Sequence, residues 1–528
     1  MLTSAKGFRG GISAPHRAAA LAGRDVLEAG GSAVEAMVAA AAAIAVAYPH
    51  MNGIGGDGFW IIHRPGKDPV AVAGCGRAAG LATPEWYADR GHTEALPARG
   101  ALAALTVPGS VDGWRLALGH CPRGNRIPLA DLLAPAVRLA REGVAVTDNQ
   151  ARTTAEKLEG LRDVPGFAEA FLVDGAPPAP GHRLRQAALG DTLERLGRVG
   201  LRDYYEGELA AAHAGFLEAA GSPLRLGDFA GFSATEGAPV TTTLRMGRLF
   251  NSQPPTQGVS SLMILALFDR LGVAQAEEFA HLHGLIEATK LAFLRRNAEL
   301  GDPDHMDVPA QDWLEPTALN ALAARIDPDR ARPWPEVAKP GDTIWMGAAD
   351  DQGCVVSFIQ SVFWEFGSGL VCPLTGVFFQ NRGAGFSLAP GPNQLRPGAR
   401  PFHTLNPALA QLDDGRVLAY GTMGGEGQPQ TQAAVFSRHV MFGQDLQEAV
   451  TAPRWLLGKT WGDATTSLKL EDRFDPGLVA ALREAGHEVE MLPGFSDLAG
   501  HAGAVSLHPG GLIEVASDPR ADGAALAV

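Results

Sequence analysis

The chain has 528 residues, 46% of them hydrophobic and 19% charged, a globular balance that argues against global disorder. Forty-four Lys and Arg against 58 Asp and Glu leave a formal charge of −14 with no basic run, which argues against a nucleic-acid partner. Four cysteines (Cys75, Cys121, Cys354, Cys372) form no CxxC pair and are too few for a disulfide framework, so neither a zinc spacing nor an oxidised scaffold is expected.

The first residues carry no apolar export segment, and the most apolar run, Ala36 to Tyr48, is short of the ~20 residues that span a bilayer. A soluble cytoplasmic protein without a membrane partner is expected. Pro15 to Ala29 reads as a helix, capped by Ser13 and stopped by Gly30-Gly31. A second, alanine-rich helix runs from Ala33 to Tyr48. A glycine loop, Gly53 to Gly58, precedes the strand Phe59-Trp60-Ile61-Ile62-His63. Residues 110–235 read mostly as helix, Val240 to Phe250 as strand, and a helix opens near Ser260 after the turn-rich Ser252 to Gly258. His281 to Glu299 is a further helix, and Asp327 to Asp342 an exposed linker rich in Pro, Arg and Asp. From Thr343 strands dominate: 343–347 and 354–358 flank the turn Asp350-Asp351-Gln352-Gly353 as a hairpin. Gly- and Pro-rich loops fill 365–430, and helices return at Gln430 to Val440 and Pro476 to Ala485. Helical blocks on both sides of strand-rich blocks predict α/β layers.

Gly53, Gly55 and Gly58 match the letters of a dinucleotide fingerprint, but a helix precedes and a strand follows, the reverse of what phosphate binding needs. His281 and His283, two apart on a helix, face different ways and make a poor metal pair; Asp302, Asp304 and His305 give only a weak metal pattern. Gly424-Gly425, after an apolar stretch and before a helix, could hold an oxyanion on its N–H groups, though alone it reads as a plain turn. Thr343 opening a strand is ordinary, unless a cut there frees its α-amine, whose pKa near ~8 suits a general base for its own hydroxyl.

Ordered blocks span nearly the whole chain: Arg9 to Trp60, Thr106-Val107-Pro108-Gly109-Ser110, Gln253 to Gly258, Leu300-Gly301-Asp302-Pro303, Gly341-Asp342-Thr343, Phe366-Gly367-Ser368-Gly369, Asn381-Arg382-Gly383, Arg400-Pro401 and Met423-Gly424-Gly425. Together they resemble the γ-glutamyltransferase family of N-terminal-nucleophile hydrolases. The resemblance implies a four-layer αββα sandwich made as one precursor that cuts itself between Asp342 and Thr343. The pieces would be residues 1–342 and 343–528, interleaved in one unit as a heterodimer, with a dimer of such pairs left open. It implies Thr343 as nucleophile, Ser361 as the second hydroxyl eighteen positions on, and Gly424 and Gly425 as oxyanion donors, with no metal or organic cofactor.

The departures bear on substrate. Family members bind a glutamyl α-carboxylate with an Arg and two serines; here Arg77 is displaced by one residue and His403-Thr404 stand at the serines. The Asp that pairs with the ammonium is Gly385, a Gln just before it is Arg382, and an Asn is Phe363, followed by the bulky Trp364. Unless Glu365 or Glu426 substitutes, an ammonium finds no counter-charge, whereas Arg77 and Arg382 could each grip a carboxylate. The inventory suits a small carboxylate-bearing amide. The starts Gly-Asp-Thr-Ile-Trp-Met-Gly and Met-Gly-Gly-Glu-Gly-Gln-Pro-Gln look most like the branch that hydrolyses oxamate to oxalate and ammonia in purine catabolism. A γ-glutamyl hydrolase or transferase, an acylase for bulkier amides, and an unprocessed binding protein on the same scaffold are the competing expectations.

Overall fold

A computed structural model describes residues 2–334, 342–458 and 466–528. Fourteen of its strands matter here: β1 (Ala5–Gly7), β2 (Gly10–Ala14), β3 (Asp57–His63), β4 (Val70–Gly74), β5 (Thr235–Gly237), β6 (Val240–Leu244), β7 (Gly247–Asn251), β8 (Asp342–Asp350), β9 (Val355–Phe363), β10 (Ala408–Leu412), β11 (Val417–Thr422), β12 (Ala502–Leu507), β13 (Ile513–Ser517) and β14 (Ala524–Ala527). They build two antiparallel seven-stranded sheets, ordered β1-β13-β12-β11-β10-β7-β6 and β14-β2-β8-β9-β3-β4-β5.

Helices α1 (Arg17–Glu28), α2 (Ala33–Ala47), α3 (Leu129–Glu142) and α4 (Ala187–Val199) form the layer over the second sheet. On the first sheet lie α5 (Gly258–Leu271), α6 (Phe279–Glu299) and α7 (Gln428–Phe436). This is the αββα sandwich. The sequence of β3 explains its place: Trp60 and Ile62 pack toward the helices, Phe59 and Ile61 into the core between the sheets with Trp345, Ile359 and Val505. A strand buried on both faces reads as a continuous apolar run.

The α2 helix is buried along its whole length. Ser32 accepts from the Glu35 N–H while Glu35 accepts from Ser32, a closed capping box. The second Glu35 oxygen accepts from the N–H groups of Arg126 and Ile127, so this buried carboxylate is satisfied. Alanine on every side lets α1, α3 and the sheet approach closely.

One expectation is corrected. The cap of α1 is His16, whose ring accepts from Ala18 N–H; Ser13 lies in β2, where its hydroxyl donates to the Ala516 carbonyl. The strand region expected at Val240 to Phe250 is the β6–β7 hairpin. The helix expected near Gln430 begins at Gln428. The β8–β9 hairpin stands as expected, its turn held by Asp350, which accepts from Gln352 and Cys354 N–H. Residues 327–334 of the expected linker are mostly exposed, and 335–341 lie outside the described residues. No helix among the described residues is long and apolar enough to cross a membrane.

Burial gives the fold an acid weakness. Desolvation lowers the pKa of His16, His63 and His403 to about 4 and of His50, His213, His281 and His487 to about 3. Each folded value lies below the unfolded ~6.5, so the unfolded chain binds more protons between the two. Stability is therefore full above about pH 6.5 and falls as pH drops toward 4. Thermal unfolding across that range should show a midpoint that declines steadily, with proton release on refolding; a flat midpoint from pH 7 to about 4.5 counts against it.

Candidate active site

Thr343 is fully buried, the second residue of β8. The β8–β9 ladder runs regularly from Ala349↔Val355 to Ile344↔Gln360, then Asp342 pairs with Phe363. Ser361 and Val362 therefore both oppose Thr343, a β-bulge, the device that re-aims side chains beside active sites. Ser361 Oγ accepts from Phe363 N–H at 2.8 Å and holds the backbone where Phe363 takes φ 81°, a region costly for a non-glycine residue. Asp57, the first residue of β3, lies directly opposite Ser361, so it shares that face of the sheet.

The glycine loop before β3 does close packing, as its order of elements implied. A Cβ on Gly56 would stand 2.0 Å from the Ser361 carbonyl oxygen. Only glycine lets this loop lie beneath the bulge.

Gly424 and Gly425 both take left-handed backbone, φ 116° and 54°. They are the cap and first residue of a single tight turn, Gly425–Gly427, that leads into α7. N–H groups at such a start have no intrahelical acceptor and are available to an oxyanion. Gln428, the first residue of α7, donates from Nε2 to Thr343 Oγ1 at 3.4 Å. This places the turn and the hydroxyl side by side.

Gln257 ties the parts together. Its Nε2 donates to the carbonyls of Gly425 (3.0 Å) and Thr404 (2.8 Å), and its Oε1 accepts from Arg296. Arg296 also pairs with Glu426 at 2.5 Å. Glu365 pairs with Lys157 at 3.2 Å and stands 3.8 Å from Arg99. Neither acid expected as a substitute counter-charge for an ammonium is free for that role.

Arg382 follows Asn381 in a short turn and is fully buried. Its guanidinium stacks 3.6 Å above the Phe363 ring and lies 5.9 Å from that of Phe402. Among the described residues it makes no ion pair, and its Nε has no hydrogen-bond partner. Desolvation lowers its pKa to about 9, with Asp57, Cys75 and Glu426 opposing the shift. A cation buried without a partner is expensive, so this is the feature that asks for an anion. Gly385, where the sequence had lost an acidic residue, lies against this guanidinium. Trp364 is half-buried next to Phe363, their rings 5.8 Å apart.

The structure does not bring Arg77 to this place. Its side chain is exposed, donates to the Gly398 carbonyl at 2.9 Å and lines a separate surface pocket of about 290 Å³ with Arg400 and Gln253. His403 is buried against Phe59, its Nε2 3.0 Å from Asp57 Oδ2 but off the line a hydrogen bond requires. Burial, against the pull of Asp57, keeps the ring neutral near pH 7. Thr404 is buried and contributes its carbonyl, which accepts from Gln257 and Asn406. Asp342 sits in β8 opposite Phe363. Gln257, Arg296, Asn406, Gln428 and Asp57 were not singled out from sequence. The only signal for Gln428 was its position three residues after Gly425 at a helix start.

An open pocket of about 430 Å³ is lined by Arg296, Asn297, Asn393, Phe402 and Glu426. It shares Phe402 with the Arg382 stack and Glu426 with the glycine turn.

Among the described residues, two side-chain trios have metal-ligand spacing, Asp57–Cys75–His403 and His283–Glu287–His487. In the first, Arg382 already supplies positive charge to Asp57 and Cys75, and burial pushes the Cys75 thiol well up, both unfavourable to a cation. Asp57 Oδ1 is also taken by the N–H groups of Gly76 and Gly109 and by Gln380. In the second, His283 Nε2 donates to the Asp327 carbonyl, leaving Nδ1 to accept from His487, while Glu287 pairs with Lys290. That trio satisfies itself.

The gamma-glutamyltranspeptidase family model matches residues 19–528. The oxamate amidohydrolase proenzyme of Klebsiella pneumoniae subsp. pneumoniae is 53% identical over 97% of each chain. A glutathione hydrolase-like proenzyme of Bacillus subtilis, YwrD, is 37% identical over 98% of each. The crystal structure of cephalosporin acylase from Bacillus halodurans superposes with a TM-score of 0.92 at 30% identity, over 100% of this chain and 97% of that one.

Proposed function

The chain belongs to the gamma-glutamyltranspeptidase family, a family of hydrolytic enzymes, and from that premise we propose a self-processing amidohydrolase that acts on a small carboxylate-bearing amide, oxamate first. The bond before Thr343 is cut, freeing an α-amine beside the hydroxyl. That amine takes the hydroxyl proton as Oγ1 attacks the amide carbonyl. The resulting oxyanion faces the N–H groups of Gly424 and Gly425. The C–N bond breaks, the amine returns the proton to the leaving nitrogen, and ammonia departs. Water, deprotonated by the same amine, then cleaves the Thr343 ester to release oxalate. Ser361 supports the bulge that aims the nucleophile.

The observation that carries the substrate reading is Arg382, a buried guanidinium that makes no ion pair among the described residues, beside Phe363, which pairs across the ladder from the residue next to Thr343. A carboxylate one bond from the scissile carbonyl supplies the missing anion. The pairing of Glu365 and Glu426 with their own cations takes both acids away from a γ-glutamyl ammonium. Side-by-side kcat/KM with oxamate and a γ-glutamyl anilide tests this. The oxamate value should be at least about 10²-fold higher, because a site built on one charge pattern rejects a ligand that leaves it unpaired. Faster turnover of the anilide overturns it in favour of a glutathione-type hydrolase.

A further inference from the structure

We propose that Gln428 is a catalytic residue that fixes the proton direction of the Thr343 hydroxyl, and that Asn406 is the residue that positions it. The inference rests on the reading of Thr343 as nucleophile and extends it to two side chains with no assigned role.

Gln428 and Asn406 are fully buried. An amide side chain can present either its oxygen or its NH2 to a neighbour, so something must choose. Here the choice starts at a backbone carbonyl, which can only accept. Asn406 Nδ2 donates to the Thr404 carbonyl at 2.8 Å, which fixes which end of Asn406 is which. Its Oδ1 accepts from Ser261 at 3.0 Å, in agreement. The second Nδ2 proton goes to Gln428 Oε1 at 3.1 Å. Gln428 must then turn its NH2 toward Thr343 Oγ1. The relay carries the polarity of one backbone carbonyl to the attacking oxygen.

The consequence is chemical. Because Gln428 donates, it occupies one lone pair of Oγ1 and does not compete with the base for the hydroxyl proton. Were Gln428 turned over, its oxygen would take that proton and hold the hydroxyl away from the α-amine. The contact of 3.4 Å is long for a neutral pair, with room to shorten as negative charge gathers on Oγ1 during attack. Oγ1 is the attacking atom in chain cutting and in substrate turnover alike, so one contact serves both.

The test uses two isosteric variants of the full chain, Asn406→Asp and Gln428→Glu. Each is followed by the half-time of conversion to two pieces, by kcat and KM with oxamate, and by thermal midpoint. Asn406→Asp puts an acceptor where Nδ2 stood and turns Gln428 over; kcat should fall about 10²-fold with KM within about threefold, and cutting should slow in parallel. Gln428→Glu should be poor against wild type near neutral pH, with the gap between the two narrowing as pH falls, since a buried carboxyl has a raised pKa and donates once protonated. A merely structural role would not shift the pH profile. If Asn406→Asp does not fold, the pH arm of Gln428→Glu decides alone. Folded variants with wild-type kcat and pH profile overturn this inference and leave the Thr343 reading intact. A wild-type chain that neither cuts nor turns over oxamate overturns the Thr343 reading and takes this one with it.

Discussion

Thr343→Ala should leave the chain in one piece and without amidase activity. The substitution removes one oxygen and one methyl from a fully buried strand residue whose neighbours, β9 and the turn before α7, stay in place. The fold should therefore survive with a cost of about 1 kcal/mol, in the ordinary range for such a truncation. The chemistry should not. Loss of the nucleophile typically removes about 10⁴–10⁶ of kcat, because what remains is binding and oxyanion stabilisation without a covalent path. Denatured mass and N-terminal sequencing read the result directly: wild type should give residues 1–342 and a second piece beginning Thr343-Ile344-Trp345, the variant a single chain of 528 residues. A Thr343→Ala protein that still matures would remove Thr343 from the mechanism.

Arg382→Met should weaken substrate binding and strengthen the empty protein. In the proposed substrate complex the guanidinium and carboxylate form a buried pair, and taking away one partner costs about 3–5 kcal/mol, or roughly 10²–10⁴-fold in KM. Without substrate the same guanidinium is a buried charge lacking a partner, and an apolar side chain stacked on Phe363 should raise stability by about 1–3 kcal/mol. Its folded pKa, about 9, lies below its unfolded value, so the burial cost is fully present below pH 9 and relieved above it. The stability advantage of Arg382→Met should thus be largest near pH 7–8 and narrow above 9. Wild-type KM should rise above pH 9 as the anchor loses its charge, while the variant's does not. Equal KM values for the two proteins at pH 7.5 would remove Arg382 as anchor.

What could be read ahead of the structure follows physical range. Ser32 and Glu35 cap α2 through bonds three residues apart, and β3 declares itself by a run of apolar residues. Local chemistry of this kind is written in the letters. Thr343, Ser361 and the glycine pair were proposed through resemblance to a family, since a threonine at a strand start carries no mark of its own. The two arginines, equal as letters, part company in space. β4 ends at Gly74, so the alternation that would aim side chains is lost before Arg77, which turns outward to the Gly398 carbonyl. Arg382 lies in a loop region and meets Phe363 and Phe402 only once the chain has folded back on itself. The amide relay through Asn406 and Gln428 was illegible for a similar reason. Which end of an amide faces its neighbour depends on a carbonyl that only tertiary structure supplies. Ser13 lost its capping role because a sheet partner claimed it.

The placement of β8 and β9 between β2 and β3 has a further consequence for the life of the molecule. A single continuous chain can find that arrangement by closing loops on itself. Two pieces would have to meet in solution and thread strands into one another's sheets, a second-order event that slows with dilution. In the proposed mature form, the cut therefore erases the route by which the shape was reached. What then protects the enzyme is the height of its unfolding barrier rather than its ability to refold, and its working lifetime becomes a rate, spent once.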